Sequence, residues 1–226
     1  MVDPDGRAPE WVPRTVNGKV QLVAERGDNL QTLKNYFAGS SRFSDAQLET
    51  AYNNSKGGVF VDLPEDNYSR ALSYASQNSG DFAKQDQSNI WDVSDNYNCY
   101  HHCLNGTTGG EIYDWKLPFL NDMTYSDYKL GVDDATEILQ SDFTSTTSDN
   151  SIYGETVLAF RPTMGGENEF YQHFAVFAGQ DKKGNVYIHT KNGPRITPQI
   201  QKLSDFVNDL PGGSENYAID YYKPNN

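Results

Sequence analysis

Four runs in the last third of the chain limit its fold more than any other feature: ETVLAFRP (155–162), HFAVFAGQ (173–180), GNVYIHTK (184–191) and NYAIDYYK (216–223). Each is rich in β-branched or aromatic residues, and Gly, Asn, Asp and Pro separate them, which is the pattern of successive antiparallel strands. The segment GQDKKGN (179–185) is a turn, so the second and third runs form a hairpin. Upstream the period changes. VDDATEILQSDF (132–143) reads as a helix with Asp133 or Asp134 at its cap and Ala135, Ile138 and Leu139 turned inward. Helices followed by antiparallel strands define an α+β domain, with the sheet last.

The first quarter has a different character. Residues 1–19 hold three prolines and the turn pairs Asp5-Gly6 and Asn17-Gly18 without a helical or strand period, and are expected to be a leader. In VQLVAERGDNLQTLKNYF (20–37), Val20, Leu22 and Ala24 alternate as a strand and Gly27 turns. Asp28 can then cap a helix bearing Leu30, Leu33 and Phe37. Ser44 and Gln47 have the spacing of a capping box before a second helix with Leu48 and Tyr52 inward. NNSKGG (53–58) is the expected domain boundary, and PEDNYSRALSYAS (64–76) is expected to open the second domain as a helix.

Composition excludes several functions. Lysine and arginine total 18 and aspartate and glutamate 31, so the formal charge is −13, a field that repels phosphate backbones. Nucleic acid is therefore not an expected partner. No stretch approaches the roughly 18 apolar residues that span a bilayer, so no membrane insertion is expected. The first residues also lack the basic and apolar regions of a signal peptide, so export would need a signal outside this sequence. With 15 Tyr, 11 Phe and 3 Trp the chain has ample material for a core.

Both cysteines and two of the four histidines fall in DNYNCYHHCLNGTTGG (95–110). A disulfide between Cys99 and Cys103 would close only a tiny loop, so both read as thiols. His101, His102 and Cys103 could join Cys99 around zinc only if a distant ligand such as His173 or His189 completed the set, because four side chains so close in one helix cannot converge tetrahedrally. The remaining readings are a buried core thiol and a nucleophile. Cys99 follows the polar stretch SDNYN and begins a plausible first helical turn, where the helix dipole favours a thiolate. Alternation along 173–179 places His173, Ala175 and Phe177 on one face. If that face looks at the helix, the His173 imidazole meets the thiol as general base. His189 on the next strand, or Asn192 just after it, would orient that imidazole, while Asn98 and the Cys99 amide are candidate oxyanion donors. The glycine-rich TMGGENE (163–169) fits a loop at the cleft rim.

Cys, then a strand of form His-x-x-hydrophobic-aromatic-x-Gly, then a hydrophobic strand ending in YIHTK, resembles the NlpC-type papain-like peptidases of bacterial cell walls over residues 85–224. The resemblance implies a papain-like fold with Cys99 as nucleophile, His173 as base and His189 as its orienting partner. Many members of that family carry Asp-Cys-Ser-Gly at the nucleophile where this chain has Asn98-Cys99-Tyr100-His101, so the likeness is to the wider papain-like superfamily. Residues 20–56 are similar to a LysM module, a βαα(β) unit, which implies glycan binding around Gly27, Asp28, Asn29 and Leu30. Asn29 stands where Thr is usual. VDPDGR (2–7) resembles the segment that closes the core of RHS-repeat proteins, whose variable C-terminal extensions are often toxins, and its position agrees with a chain cut at that junction.

Together these readings give a three-part expectation: a leader over 1–19, a glycan-binding module over 20–56 and a papain-like catalytic domain over 57–226. The expected function is that of an antibacterial toxin, delivered as part of a larger protein, that cleaves an amide of peptidoglycan stem peptides in the target-cell periplasm. No cofactor or metal is expected, and a cognate immunity protein is an expected partner. Two rivals stand beside it: a papain-like toxin that cleaves or deamidates a protein in the target cytosol, and a non-catalytic glycan-binding protein.

Overall fold

The structure is a computed structural model that describes residues 11–55, 57–66, 99–107, 132–163, 171–192 and 198–225. The chain is α+β, with two antiparallel sheets and a few helices.

The first sheet begins inside the stretch read as a leader. Strands β1 (Val12–Val16) and β2 (Lys19–Val23) form a hairpin in which Val16 pairs with Lys19. Asn17 and Gly18 make its two-residue turn, both at positive φ (49° and 72°), which is what a tight hairpin demands and what an Asn-Gly pair tolerates. Pro13 hides the strand period, and it is tolerated because β1 is an edge strand of its sheet. Trp11 is fully buried and donates from Nε1 to Thr32 Oγ1 at 3.2 Å.

Helices α1 (Leu30–Tyr36) and α2 (Asp45–Asn54) follow, and then β3 (Phe60–Asp62) pairs with β2. The segment read as a domain boundary is therefore the connection from α2 to β3, and the first unit runs from Trp11 to about Leu63 rather than from 20 to 56. Ser44 and Gln47 form the expected capping box on α2. On α1 the cap is Asn29, not Asp28: its Oδ1 accepts from the amides of Gln31 and Thr32, while Thr32 Oγ1 accepts from the Asn29 amide. Asp28 instead accepts from the Glu25 amide at 2.6 Å and braces the preceding turn.

The second sheet has six strands in the order β4-β9-β5-β6-β7-β8, every neighbour antiparallel. These are β4 (Phe143–Thr146), β5 (Val157–Pro162), β6 (His173–Gln180), β7 (Val186–Thr190), β8 (Gln199–Lys202) and β9 (Tyr217–Pro224). All four strands expected from the sequence are present, and β6 and β7 form the expected hairpin. Asp181 closes its turn by accepting from the amides of Lys183 and Asn185.

Helices cover both faces of the sheet. Helix α3 (Cys99–Thr107) and helix α4 (Val132–Asp142) pack Cys103, Leu104, Ala135 and Leu139 onto Val157, Ala159, Phe174 and Val176. Helix α5 (Leu203–Asp209) packs Phe206 and Val207 onto Leu158, Phe160, Ala175 and Ile188 on the other face. Two covered faces explain why β5 reads as a continuous apolar run rather than an alternating one. Helix α4 starts at Val132, which places Asp133 inside its first turn rather than at the cap. Of the helix expected over 64–76, Pro64–Asp66 are non-helical and the remainder lies outside the described residues.

The two units share one core. Tyr153, Ala178 and Tyr187 from the second sheet pack with Trp11, Leu22, Leu33, Leu48 and Val61. Tyr36 donates its hydroxyl to the Ala178 carbonyl at 2.5 Å, and Arg42 donates to the Gly154 carbonyl at 2.6 Å. Where Tyr36 touches β6 the strand carries a bulge between Phe177 and Gly179, and Gly179 has φ +119°. Among the described residues no helix is long and apolar enough to cross a membrane.

Candidate active site

Helix α3 begins at Cys99 and lies across β6, so the thiol stands at the start of a helix, as the sequence predicts. Its proton affinity differs from the expectation. Cys99 is 9% exposed, and burial raises the thiol above its ordinary range. The backbone N–H groups of Phe174, Tyr100 and Cys99 and the charge of Lys191 pull the other way, but burial outweighs them. The resting group is a neutral thiol rather than a thiolate, and attack requires a base. Cys103 is fully buried and its thiol is raised further, which makes it a core side chain. Neither cysteine is in a disulfide.

The Phe174 amide that reaches Cys99 belongs to the residue immediately after His173. One peptide unit therefore links the thiol to the imidazole-bearing residue. The face bearing His173, Ala175 and Phe177 looks at α5, not at α3, which corrects the expected arrangement. The His173 ring sits 4.8 Å from the Phe206 ring and 5.7 Å from the Phe160 ring, centre to centre. The thiol on α3 and the His173 ring on the α5 side make no direct hydrogen bond, and the Phe174 amide is the group that connects them.

The partner that orients His173 is Thr190, a residue the sequence analysis passed over. His173 Nε2 lies 2.6 Å from Thr190 Oγ1, and Thr190 Oγ1 donates to Asn192 Oδ1 at 3.0 Å. An amide oxygen only accepts, so the single hydroxyl proton of Thr190 goes to Asn192. Nε2 of His173 must then carry its proton and donate it to Thr190, which leaves Nδ1 as the basic nitrogen. Burial lowers His173 to about 3, so the ring is neutral at pH 7 and able to accept. Alternation along β7 was the signal for Thr190, because it pairs with Ala175 on the face that His173 shares.

His189 does not perform the orienting role expected of it. It pairs across the sheet with Val176 and so faces α3, the opposite face from His173. There its Nδ1 lies 2.8 Å from Nε2 of His102, and the two rings stack 4.9 Å apart. Burial lowers both imidazoles, His189 to about 3 and His102 well below its ordinary value. Lys191, only 3% exposed, bears on both Cys99 and His102 and sets a positive charge beside the thiol. A lysine at the end of a strand is ordinarily a solvated residue, so nothing in its sequence context singled it out.

The remaining candidates divide between the two units. Asn98 and most of the rim loop 163–169 lie outside the described residues. Gly27, Asp28, Asn29 and Leu30 form the turn into α1, with φ +101° at Gly27 and its carbonyl accepting from Asn29 Nδ2 at 3.2 Å. Among the described residues no three His, Cys, Asp or Glu side chains gather as metal ligands would. Comparison of the chain with family models, with curated proteins and with solved structures gives no match.

Proposed function

We propose that this chain is a papain-like cysteine hydrolase that cleaves an amide of peptidoglycan stem peptides, with Cys99 as nucleophile and His173 as base. One observation carries the reading: the thiol starts a helix and is held by the amide next to a histidine whose Nε2 is committed to Thr190 and Asn192. That leaves Nδ1 of a neutral imidazole as the proton acceptor the buried thiol needs.

In the proposed acylation step Cys99 Sγ bonds to the substrate carbonyl carbon as its proton passes around the start of β6 to His173 Nδ1. The transfer needs a bridging water or substrate group, because the imidazole lies on the α5 side of the strand. The imidazolium then protonates the departing amine as the C–N bond breaks, leaving a thioester on Cys99. Water attacks that thioester, gives its proton to His173 and releases the carboxylate with the thiol restored. Thr190, backed by Asn192, holds the imidazole tautomer throughout, a position this superfamily often gives to Asn alone. Lys191 favours the attacking sulfur as it becomes anionic.

The likeness of residues 2–7 to the RHS junction supports delivery within a larger protein and inhibition by an immunity protein. The test is incubation of bacterial sacculi with the protein and with its Cys99→Ala variant, with mass spectrometry of the soluble products. New muropeptides from the unaltered chain alone are expected, and their masses name the bond. Equal release by both proteins would sink the mechanism. No release from either, with toxicity confined to cytosolic expression, would transfer the same site to a protein amide in the target cell.

A further inference from the structure

The outer side of β3 carries backbone groups that its own sheet does not use. Along an antiparallel strand, successive residues turn their N–H and C=O alternately toward and away from a given neighbour. Ala24 donates its amide to the Val59 carbonyl at 2.9 Å and Leu63 donates to the Val20 carbonyl at 3.0 Å, so Val59, Val61 and Leu63 face β2. Phe60 and Asp62 therefore turn their amides and carbonyls outward, and among the described residues no strand pairs on that side. Both side chains are exposed, and Phe60 and Val59 are the large apolar ones that stand so, at 46% and 47%. An open edge of this kind templates pairing with another chain unless lysine, proline or a covering element blunts it.

A cleft of about 470 Å³ follows the edge, lined by Phe60 and Asp62, by Gln21 behind them and by Ala51, Asn54 and Ser55 of α2. A second, of about 430 Å³, continues past Asp62 to Leu63 and Pro64 beside the same helix. A strand edge facing a helix makes a slot in which an added strand has its backbone bonded and its alternate side chains placed. Its charge has one sign. Asp62 Oδ1 accepts from Gln21 Nε2 at 2.6 Å, and among the described residues no cation pairs with Asp62. Arg14 is engaged by Gln21 at 2.9 Å and lies over the Phe60 ring, 4.9 Å from its centre, which braces that ring.

We infer that this slot binds an extended basic segment of a partner protein, added to the first sheet as a strand beside β3. Antiparallel addition, the commoner and slightly more stable pairing, sets one residue of the segment opposite Asp62, the next opposite Val61 and the third opposite Phe60. The first and third exchange N–H and C=O with Asp62 and Phe60 and stand on the solvent face with them. A lysine or arginine suits the first position, beside the Asp62 carboxylate, and an aromatic ring the third, against Phe60. The middle side chain points toward α2, where Ala51 leaves room for an apolar group. The chain's charge of −13 favours a basic partner further. The slot does not depend on Cys99.

The test uses the full chain carrying Cys99→Ala, so that no hydrolysis consumes the probe and the result stands whether or not the hydrolase reading holds. Acetyl-Thr-Lys-Val-Tyr-Thr-amide is titrated while the amide resonances of Phe60 and Asp62 are followed by NMR. Both should shift and gain protection from hydrogen exchange. The same peptide with Glu in place of Lys should bind about tenfold more weakly, and so should the peptide N-methylated at its Lys and Tyr nitrogens. Asp62→Asn should erase the preference for Lys over Glu with the thermal midpoint unchanged, since Asp62 is exposed. Silence from the lysine peptide at millimolar concentration would overturn the inference. So would equal binding of the N-methylated or the Glu peptide, or a dimer of this chain that closes the β3 edge and excludes the probe.

Discussion

His102 and His189 are stacked imidazoles joined by a 2.8 Å hydrogen bond in a place that water does not reach. Both must be neutral in the folded chain, and so must His173. All three bind protons more weakly folded than unfolded, so stability is unaffected above about pH 6.5 and falls as pH drops from there toward about 3. For His173 and His189 the loss by pH 5 is about 2 kcal/mol each. Urea unfolding at pH 7, 6 and 5 should show a steep decline, and His102→Gln should flatten it. A stability constant over that range would contradict the buried neutral pair.

The Cys99 thiol predicts its own labelling profile. Burial raises it, so alkylation by iodoacetamide should be slow at pH 7 and accelerate only above about pH 9. Lys191→Met removes a charge that lowers the thiol, and should move the midpoint of the rate profile upward. An unmoved midpoint would remove Lys191 from the site.

Thr190→Val keeps the shape of the side chain and removes the oxygen that His173 Nε2 requires. On the proposed hydrolase mechanism kcat should fall by about 10²-fold with KM little changed, because only the tautomer of the proposed base is lost. Asn192 is exposed, so Asn192→Ala should leave the melting temperature unaltered while reducing kcat about tenfold. Equal losses in binding and turnover would instead mark these residues as substrate contacts.

Gly179 tests the join between the two units. Its φ of +119° is a conformation that L side chains avoid, and an added Cβ would fall 1.7 Å from the Tyr36 hydroxyl. Gly179→Ala should cost about 3 kcal/mol or more, from backbone strain together with lost packing of Tyr36. Combined with Tyr36→Ala, part of that cost should vanish, a non-additivity measurable by double-mutant cycle. Simple addition would place the strain in the backbone alone.

The strands were the most legible part of the sequence, because β5, β6, β7 and β9 are long apolar runs with strong turn residues between them. Strand β1 was not, since Pro13 breaks its pattern and its partner lies across a turn only two residues long. Cys99 at a helix start could be read from its polar approach, but the face of His173 could not. Alternation says which residues share a face, and only the packing of α3 and α5 decides which face each helix covers. The same indeterminacy exchanged His189 for Thr190: adjacent residues on one strand point to opposite layers, and the polar partner proved to be the smaller side chain. Lys191 left no trace in the sequence, and His102 stood out only as a conditional metal ligand, because long-range burial alone gives them their roles.

The core shared by Trp11, Leu22 and Leu48 with Tyr153, Ala178 and Tyr187 also bears on how such a protein can change over generations. Modules joined by a free linker can be exchanged by recombination within the linker. A crossover between Leu63 and Cys99 here would instead separate two halves of one apolar interior. A new amino-terminal partner would have to supply a matching surface for β6 and β7 at once, so these two units can be inherited together far more readily than apart.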